Sequence, residues 1–140
     1  MRFWDSSAIV PLCVEEKYTH VIKGLLTKDQ TMIVWWGTVI ECMSAFVRQV
    51  REGNLNNVEQ EQVKKILHIL ASSWTEICAC EEVRQEAKRL LASHNLRSAD
   101  SLQLAAAILW VNYRPDAEPF VTLDDNLRLA AQKEGFLVLP

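Results

Sequence analysis

The sequence has no apolar stretch approaching the length that spans a bilayer, so a membrane-embedded protein is not expected. A signal peptide is not expected either, because Asp5 interrupts the N-terminus and the apolar run after it is short. Positive charge is not in excess. Fifteen Lys and Arg residues stand against eighteen Asp and Glu, giving a net charge of -3. Wholesale coating of nucleic acid needs a broad positive field, which this chain lacks. An enzyme that meets nucleic acid through metal ions and a local basic rim stays compatible with that balance.

Metal-binding cysteine and histidine patterns are also missing. Cys13, Cys42, Cys78 and Cys80 have no C-x-x-C spacing. Cys78 and Cys80 share a face of what reads as a strand, but two thiolates are too few for a metal site. Reduced thiols and a cytoplasmic location are expected. His20, His68 and His94 fall on separate helical segments, so none is assigned acid–base work. There is no internal repeat, no low-complexity tract and no linker, which leaves one domain over residues 1–140.

What is there is an ordinary globular composition, 49% hydrophobic and 24% charged, in a chain of 140 residues that is long enough for a real core. Apolar β-rich runs predict strands at Arg2-Phe3-Trp4, Met32–Trp36, Thr75–Cys80, Pro119–Leu123 and Phe136–Leu139. Between them the spacing predicts helices over Ala8–Val14, Glu15–Thr27, Thr38 to about Glu52, Val58–Ser72, Glu81–Asn95, the segment after Leu96, and a last one opened by Asp124-Asp125-Asn126 and stopped by Gly135. Thr38 is a candidate cap, and Val39, Met43, Phe46, Val47 and Val50 form the expected inward stripe of that helix. From Leu102 to Val111 only Gln103 is polar, so this helix belongs in the middle of the core. Ser98 is its candidate N-cap. Strands separated throughout by helices predict an α/β fold: a central, mostly parallel sheet of four or five strands with helices on both faces.

Sites in open parallel sheets form beyond the carboxyl ends of strands, where the following helices begin. Asp5 ends the first strand, Asp100 opens the central helix, and Asp124 follows Phe120-Val121-Thr122-Leu123. Glu41, early in the helix after the second strand, can reach the same rim. Each has an ordinary alternative: Asp5 as a loop residue, Asp100 as a first-turn charge, Asp124 as an N-cap, Glu41 as a solvated partner of Arg48. Taken together, four carboxylates at one sheet edge repel one another, and a divalent cation relieves that directly. With oxygen donors and no His or Cys nearby, the expected ion is hard, Mg²⁺ or Mn²⁺, one or two in number. Such ions activate water against phosphodiesters. Ser6 and Thr122 offer hydroxyls that orient ligands or water, with capping the ordinary role for Thr122. Arg97, just before the central helix, is a candidate phosphate contact, or else a solvated loop charge, and Arg48 is a second such candidate from the Glu41 face. Trp4, Trp35, Trp36, Trp74 and Trp110 are assigned mostly to core or dimer packing rather than to base stacking.

The chain resembles the PIN-domain family, and within it the VapC-like toxin ribonucleases of toxin–antitoxin pairs. The matching pieces are Trp4-Asp5-Ser6-Ser7-Ala8-Ile9-Val10, Thr38-Val39-Ile40-Glu41-Cys42-Met43-Ser44-Ala45, Leu96-Arg97-Ser98-Ala99-Asp100-Ser101-Leu102-Gln103-Leu104-Ala105 and Val121-Thr122-Leu123-Asp124-Asp125-Asn126-Leu127. They run end to end in the family's order and spacing. The resemblance implies a single PIN-like domain and Mg²⁺- or Mn²⁺-dependent RNA cleavage. It places Asp5, Glu41, Asp100 and Asp124 on the four family acids, Ser6 and Thr122 on the accompanying hydroxyls, and Asp125 as a spectator. It also implies a homodimer and a cognate antitoxin whose C-terminal segment covers the site. The competing expectations are a PIN-like nuclease in RNA processing without a toxin role, a non-catalytic metal-dependent binding module, and a receiver-like signalling domain. A receiver wants paired acids after the first strand and a lysine after a late one. Asp5 is alone there, and no such lysine follows Asp124.

Overall fold

The computed structural model describes all 140 residues, Met1–Pro140. Five short strands, β1 (Arg2–Trp4), β2 (Met32–Trp35), β3 (Thr75–Ile77), β4 (Pro119–Val121) and β5 (Leu137–Leu139), form one sheet in the order β3-β2-β1-β4-β5. Every pairing is parallel. Successive strand residues point to opposite faces, so the central strands β2, β1 and β4 each feed two cores. Phe3, Ile33, Trp35 and Phe120 enter one core, while Trp4, Met32, Val34 and Val121 enter the other. Helices α1 (Ser6–Cys13), α2 (Thr19–Lys28), α3 (Thr38–Arg51) and α4 (Asn57–Ala71) cover the second face. Helices α5 (Glu81–Ser93), α6 (Ser98–Trp110) and α7 (Asp125–Glu134) cover the first.

Helix α6 sits against the sheet because its side chains are small enough to let it. Leu104, Ala105, Ala106 and Ala107 are fully buried, and Gln103 goes in with them. Helix α7 ends at Gly135, whose φ of 103° is left-handed backbone that costs glycine nothing. Gly37, between β2 and α3, is required for space: a Cβ there would lie 2.5 Å from the Trp35 indole nitrogen.

Several boundaries differ from expectation. Residues 15–18 are not helical, because the Thr19 hydroxyl accepts the Glu16 amide at 2.8 Å and donates to the Pro11 carbonyl at 2.8 Å, tying down the turn before α2. Neither Ser98 nor Thr38 is a cap. Ser98 is the first residue inside α6, behind Arg97, and Thr38 is the first inside α3, behind Gly37. Strand β3 stops at Ile77, so Cys78 and Cys80 are exposed loop residues that share no strand face. Trp4 and Trp35 are core residues, whereas Trp36 is 57% exposed. The fully buried line of α3 is Thr38, Cys42 and Phe46, while Val39, Met43 and Val50 of the expected stripe pack partly buried against the same core. That turn of the helix carries Glu41 from the solvent side to the edge of the buried face.

Candidate functional site

The strand order reverses between β1 and β4. Chain crossovers proceed from β1 to β2 to β3 on one side, then jump to β4 and β5 on the other. A crevice opens at the carboxyl ends of such a pair. Asp5 leaves β1 there, and Thr122, Leu123 and Asp124 leave β4.

Asp5 is 3% exposed and caps the N-terminus of α1, where the helix dipole favours a negative charge. Its Oδ2 is saturated. It accepts the Ser7 amide at 3.2 Å, the Thr122 hydroxyl at 2.9 Å and the Ser7 hydroxyl at shorter range. Its Oδ1 has only the Ser6 hydroxyl, at 3.3 Å. Burial is the main force pushing this carboxyl upward. Its bonds to Ser7 and Thr122 oppose that, and the Asp100 charge adds to it.

Ser7 ties the two strand exits together. Its Oγ accepts the Leu123 amide at 2.9 Å and lies 3.2 Å from the Thr122 hydroxyl, which in turn accepts the Asp124 amide at 3.0 Å. The loop after β4 is therefore fastened to the start of α1. Arg128 holds it from behind, donating to the Thr122 carbonyl at 2.9 Å.

Asp124 is the N-cap of α7, with Oδ1 accepting the Leu127 amide at 2.7 Å. Asp100 stands three residues into α6 and reaches back to accept the Arg97 amide on Oδ2 at 3.2 Å. Each spends one oxygen on a helix end. The second oxygen, Asp124 Oδ2 or Asp100 Oδ1, takes no hydrogen bond from the chain. Asp100 is raised chiefly by burial and also by the Asp124 charge, against the pull of the Arg97 amide and guanidinium.

Glu41 joins from α3. Its Oε2 accepts the Ser6 hydroxyl at 2.9 Å and its Oε1 accepts the Gln103 amide at 3.1 Å. Burial, with help from the charges of Asp5 and Asp100, lifts its pKa to about 7 against those two hydrogen bonds. The expected alternative, a solvated ion pair with Arg48, is not what the structure shows: every salt bridge lies elsewhere, and none involves these four acids. Asp125 is exposed at the start of α7. His94 pairs with Glu134 at 2.6 Å, away from the acids.

Two participants were not singled out from sequence. Ser7 fastens Asp5 to the β4 exit, and Gln103 holds Glu41. Gln103 is also fully buried, donates to the Thr38 hydroxyl at 3.0 Å, and leaves its own Oε1 without a partner. Its signal was visible as the lone polar side chain in an apolar helix. Ser7 had only its place in a Ser-Ser doublet behind Asp5.

No protein-family model matches the sequence, and no curated protein matches it. In structure the chain is similar to the crystal structure of FitAcB from Neisseria gonorrhoeae, with a TM-score of 0.69, covering 100% of this chain and 97% of that one at 15% identity. The fold is PIN-like. At that identity the likeness is one of fold, and the chemistry of the PIN-like crevice has to come from its own side chains. Its donors are carboxylate and hydroxyl oxygens that make no salt bridge to a basic side chain, which is the donor type a hard divalent cation takes. No three of its acids stand close enough as placed to share one ion. Ser6 lies between Asp5 and Glu41 and bonds to both.

Proposed function

We propose that this chain is a metal-dependent endoribonuclease, the toxin of a toxin–antitoxin pair, with Mg²⁺ or Mn²⁺ bound among Asp5, Glu41, Asp100 and Asp124. The observation that carries the reading is the set of unneutralised carboxylates around the β1–β4 crevice. Asp100 and Asp124 each commit one oxygen to a helix end and leave the other free. When bound, the ion supplies an acidified water and neutralises charge building on a phosphodiester.

The chain's own residues position everything else. Ser7 and Thr122 clamp Asp5 Oδ2, so that carboxylate presents Oδ1 to the crevice in one orientation. The N-termini of α1, α6 and α7 converge on the acids, and each presents the positive end of its helix dipole there. Glu41, its pKa lifted to about 7, would have to lose its proton before it could join the ligands of a cation. Ser6, bonded to both Asp5 and Glu41, orients the two. Arg97, exposed at the mouth of α6, contacts a substrate phosphate. The toxin role, a homodimer and an antitoxin over the site follow from the motif resemblance, which the shared fold supports. No helix is long and apolar enough to cross a membrane.

The test is incubation of the purified protein with total cellular RNA, in Mg²⁺ or Mn²⁺ and again with EDTA, beside Asp100→Asn. Discrete fragments that vanish with chelation and in the variant are expected. Intact RNA in every lane, from folded protein free of any antitoxin, overturns the reading. A small adjacent antitoxin reading frame separates a toxin from a processing nuclease.

A further inference from the structure

A recess of about 570 Å³ opens beside the acids, between α1 and α3. Its walls include Ser7 and Val10 of α1, Glu16 of the following loop, and a line of α3 residues one turn apart: Ile40, Ser44 and Arg48. Ser6 and Glu41 also line it, so the recess and the acidic crevice are continuous. From Glu41 to Arg48 is about 10 Å along the helix axis at 1.5 Å per residue.

Two features of this recess are unexplained by packing. The Arg48 guanidinium is exposed and makes no hydrogen bond or salt bridge within the chain; the Glu16 carboxylate, which also lines the recess, feels its charge without pairing to it. Ile40 is 71% exposed, an apolar side chain standing at the lip. An exposed cation, the Ser44 hydroxyl and an apolar step together suit a nucleotide: phosphate on the guanidinium, base or sugar against the isoleucine. The space is of small-ligand size. A base inside a duplex is stacked and paired and does not enter such a recess, so the strand has to be single.

We propose, on the ribonuclease reading of the acids, that the α1–α3 recess is the subsite for the nucleotide flanking the scissile phosphodiester of single-stranded RNA, with Arg48 gripping its phosphate. The recess then sets which side of the cleaved bond is held and favours unpaired RNA over duplex. Arg48 is a substrate-binding residue here and touches none of the four acids.

The experiment uses a short fluorescein-labelled single-stranded RNA of mixed sequence and the full-length chain carrying Asp100→Asn, so that the probe stays intact. Adding Arg48→Ala is expected to weaken binding ~10-fold and to flatten the slope of log affinity against log salt by about 0.7, one phosphate contact on a single strand. Arg48→Lys should keep the slope and lose part of the affinity. RNA bearing 4-thiouridine should crosslink within Ile40–Gln49. In the otherwise unmodified chain, Arg48→Ala should raise KM with kcat little changed. If the parent chain cuts RNA and Asp100→Asn does not, while Arg48→Ala leaves affinity, salt slope and KM unchanged, the subsite is overturned and the nuclease stands. Crosslinks that map elsewhere overturn the subsite in the same way, and the recess is then a surface for a partner protein. If the parent chain cuts no RNA with any divalent ion, the nuclease reading itself falls and takes the subsite with it.

Discussion

Ser6 and Glu41 are 35 residues apart in the chain, and the Ser6 hydroxyl donates to Glu41 Oε2 at 2.9 Å. That bond joins the start of α1 to the first turn of α3 and brings a fourth carboxylate to a crevice already lined by three. Its energetic signature is repulsion held in place by the fold, and most consequences of the site can be measured as changes in that repulsion.

The Glu41 carboxyl shows it most directly. Its pKa rises from an ordinary 4.5 to about 7 in the folded chain. Between those values the folded state keeps a proton that the unfolded state has lost, so stability falls as pH rises through that window and levels off above it. In EDTA, Glu41→Gln should remove this slope and melt several degrees above the parent at alkaline pH. The two proteins should converge below pH ~4.5. Parallel melting curves across the range would count against a buried, charge-crowded Glu41.

Divalent ions should act on the same repulsion. Mg²⁺ or Mn²⁺ is expected to raise the melting temperature of the parent chain, and to do so more at about pH 8 than at about pH 5, because ligands must shed protons first. Asp100→Asn should abolish most of the increment. An equal increment in the variant would place the ion somewhere other than this crevice.

The clamp around Asp5 is testable as a unit. Thr122→Val removes a donor to Asp5 and the acceptor for the Asp124 amide. Ser7→Ala removes a second donor and strands the Leu123 amide. Each should cost about 1–3 kcal/mol in urea unfolding, the penalty for unpaired buried polar groups. Because the two hydroxyls lie 3.2 Å apart, the double variant should depart from additivity by ~0.5 kcal/mol or more. Strict additivity would mean that they do not share a network.

Gln103 positions Glu41 rather than touching substrate. Gln103→Leu keeps the volume, removes an acceptor that has no partner, and frees Glu41 Oε1. Because the buried Thr38 hydroxyl and Glu41 Oε1 lose their donor, stability should fall by about 1–3 kcal/mol, while the midpoint of a Mn²⁺ titration followed by melting temperature rises several-fold. A stability loss with an unmoved midpoint would make Gln103 a core residue and nothing more.

How far the sequence reached differs from residue to residue. The α/β alternation, the central apolar helix and the strand-end placement of Asp5 and Asp124 were all legible, since each depends on local periodicity and turn chemistry. The role of Glu41 was half legible. The apolar spacing of residues 38–52 admits two inward stripes about one residue apart, and one residue of helix is about 100° of rotation. The stripe through Val39 and Met43 sends Glu41 to solvent beside Arg48, and the stripe through Thr38, Cys42 and Phe46 turns it toward Ser6 and Gln103.

By itself, then, the sequence determined the elements and the acids at their ends. Asp5, Asp100 and Asp124 each occupy a helix N-terminal position that a carboxylate favours on local grounds alone. The tertiary structure decided which groups meet. The bonds from Thr122 to Asp5, from the Leu123 amide to Ser7 and from Gln103 to Glu41 span 117, 116 and 62 residues. Contacts at that separation are set by the strand order and by which helix face the two cores select, and neither is encoded in the few residues on either side of the contact. The strand reversal beside β1 turned three separate helix ends into one crevice.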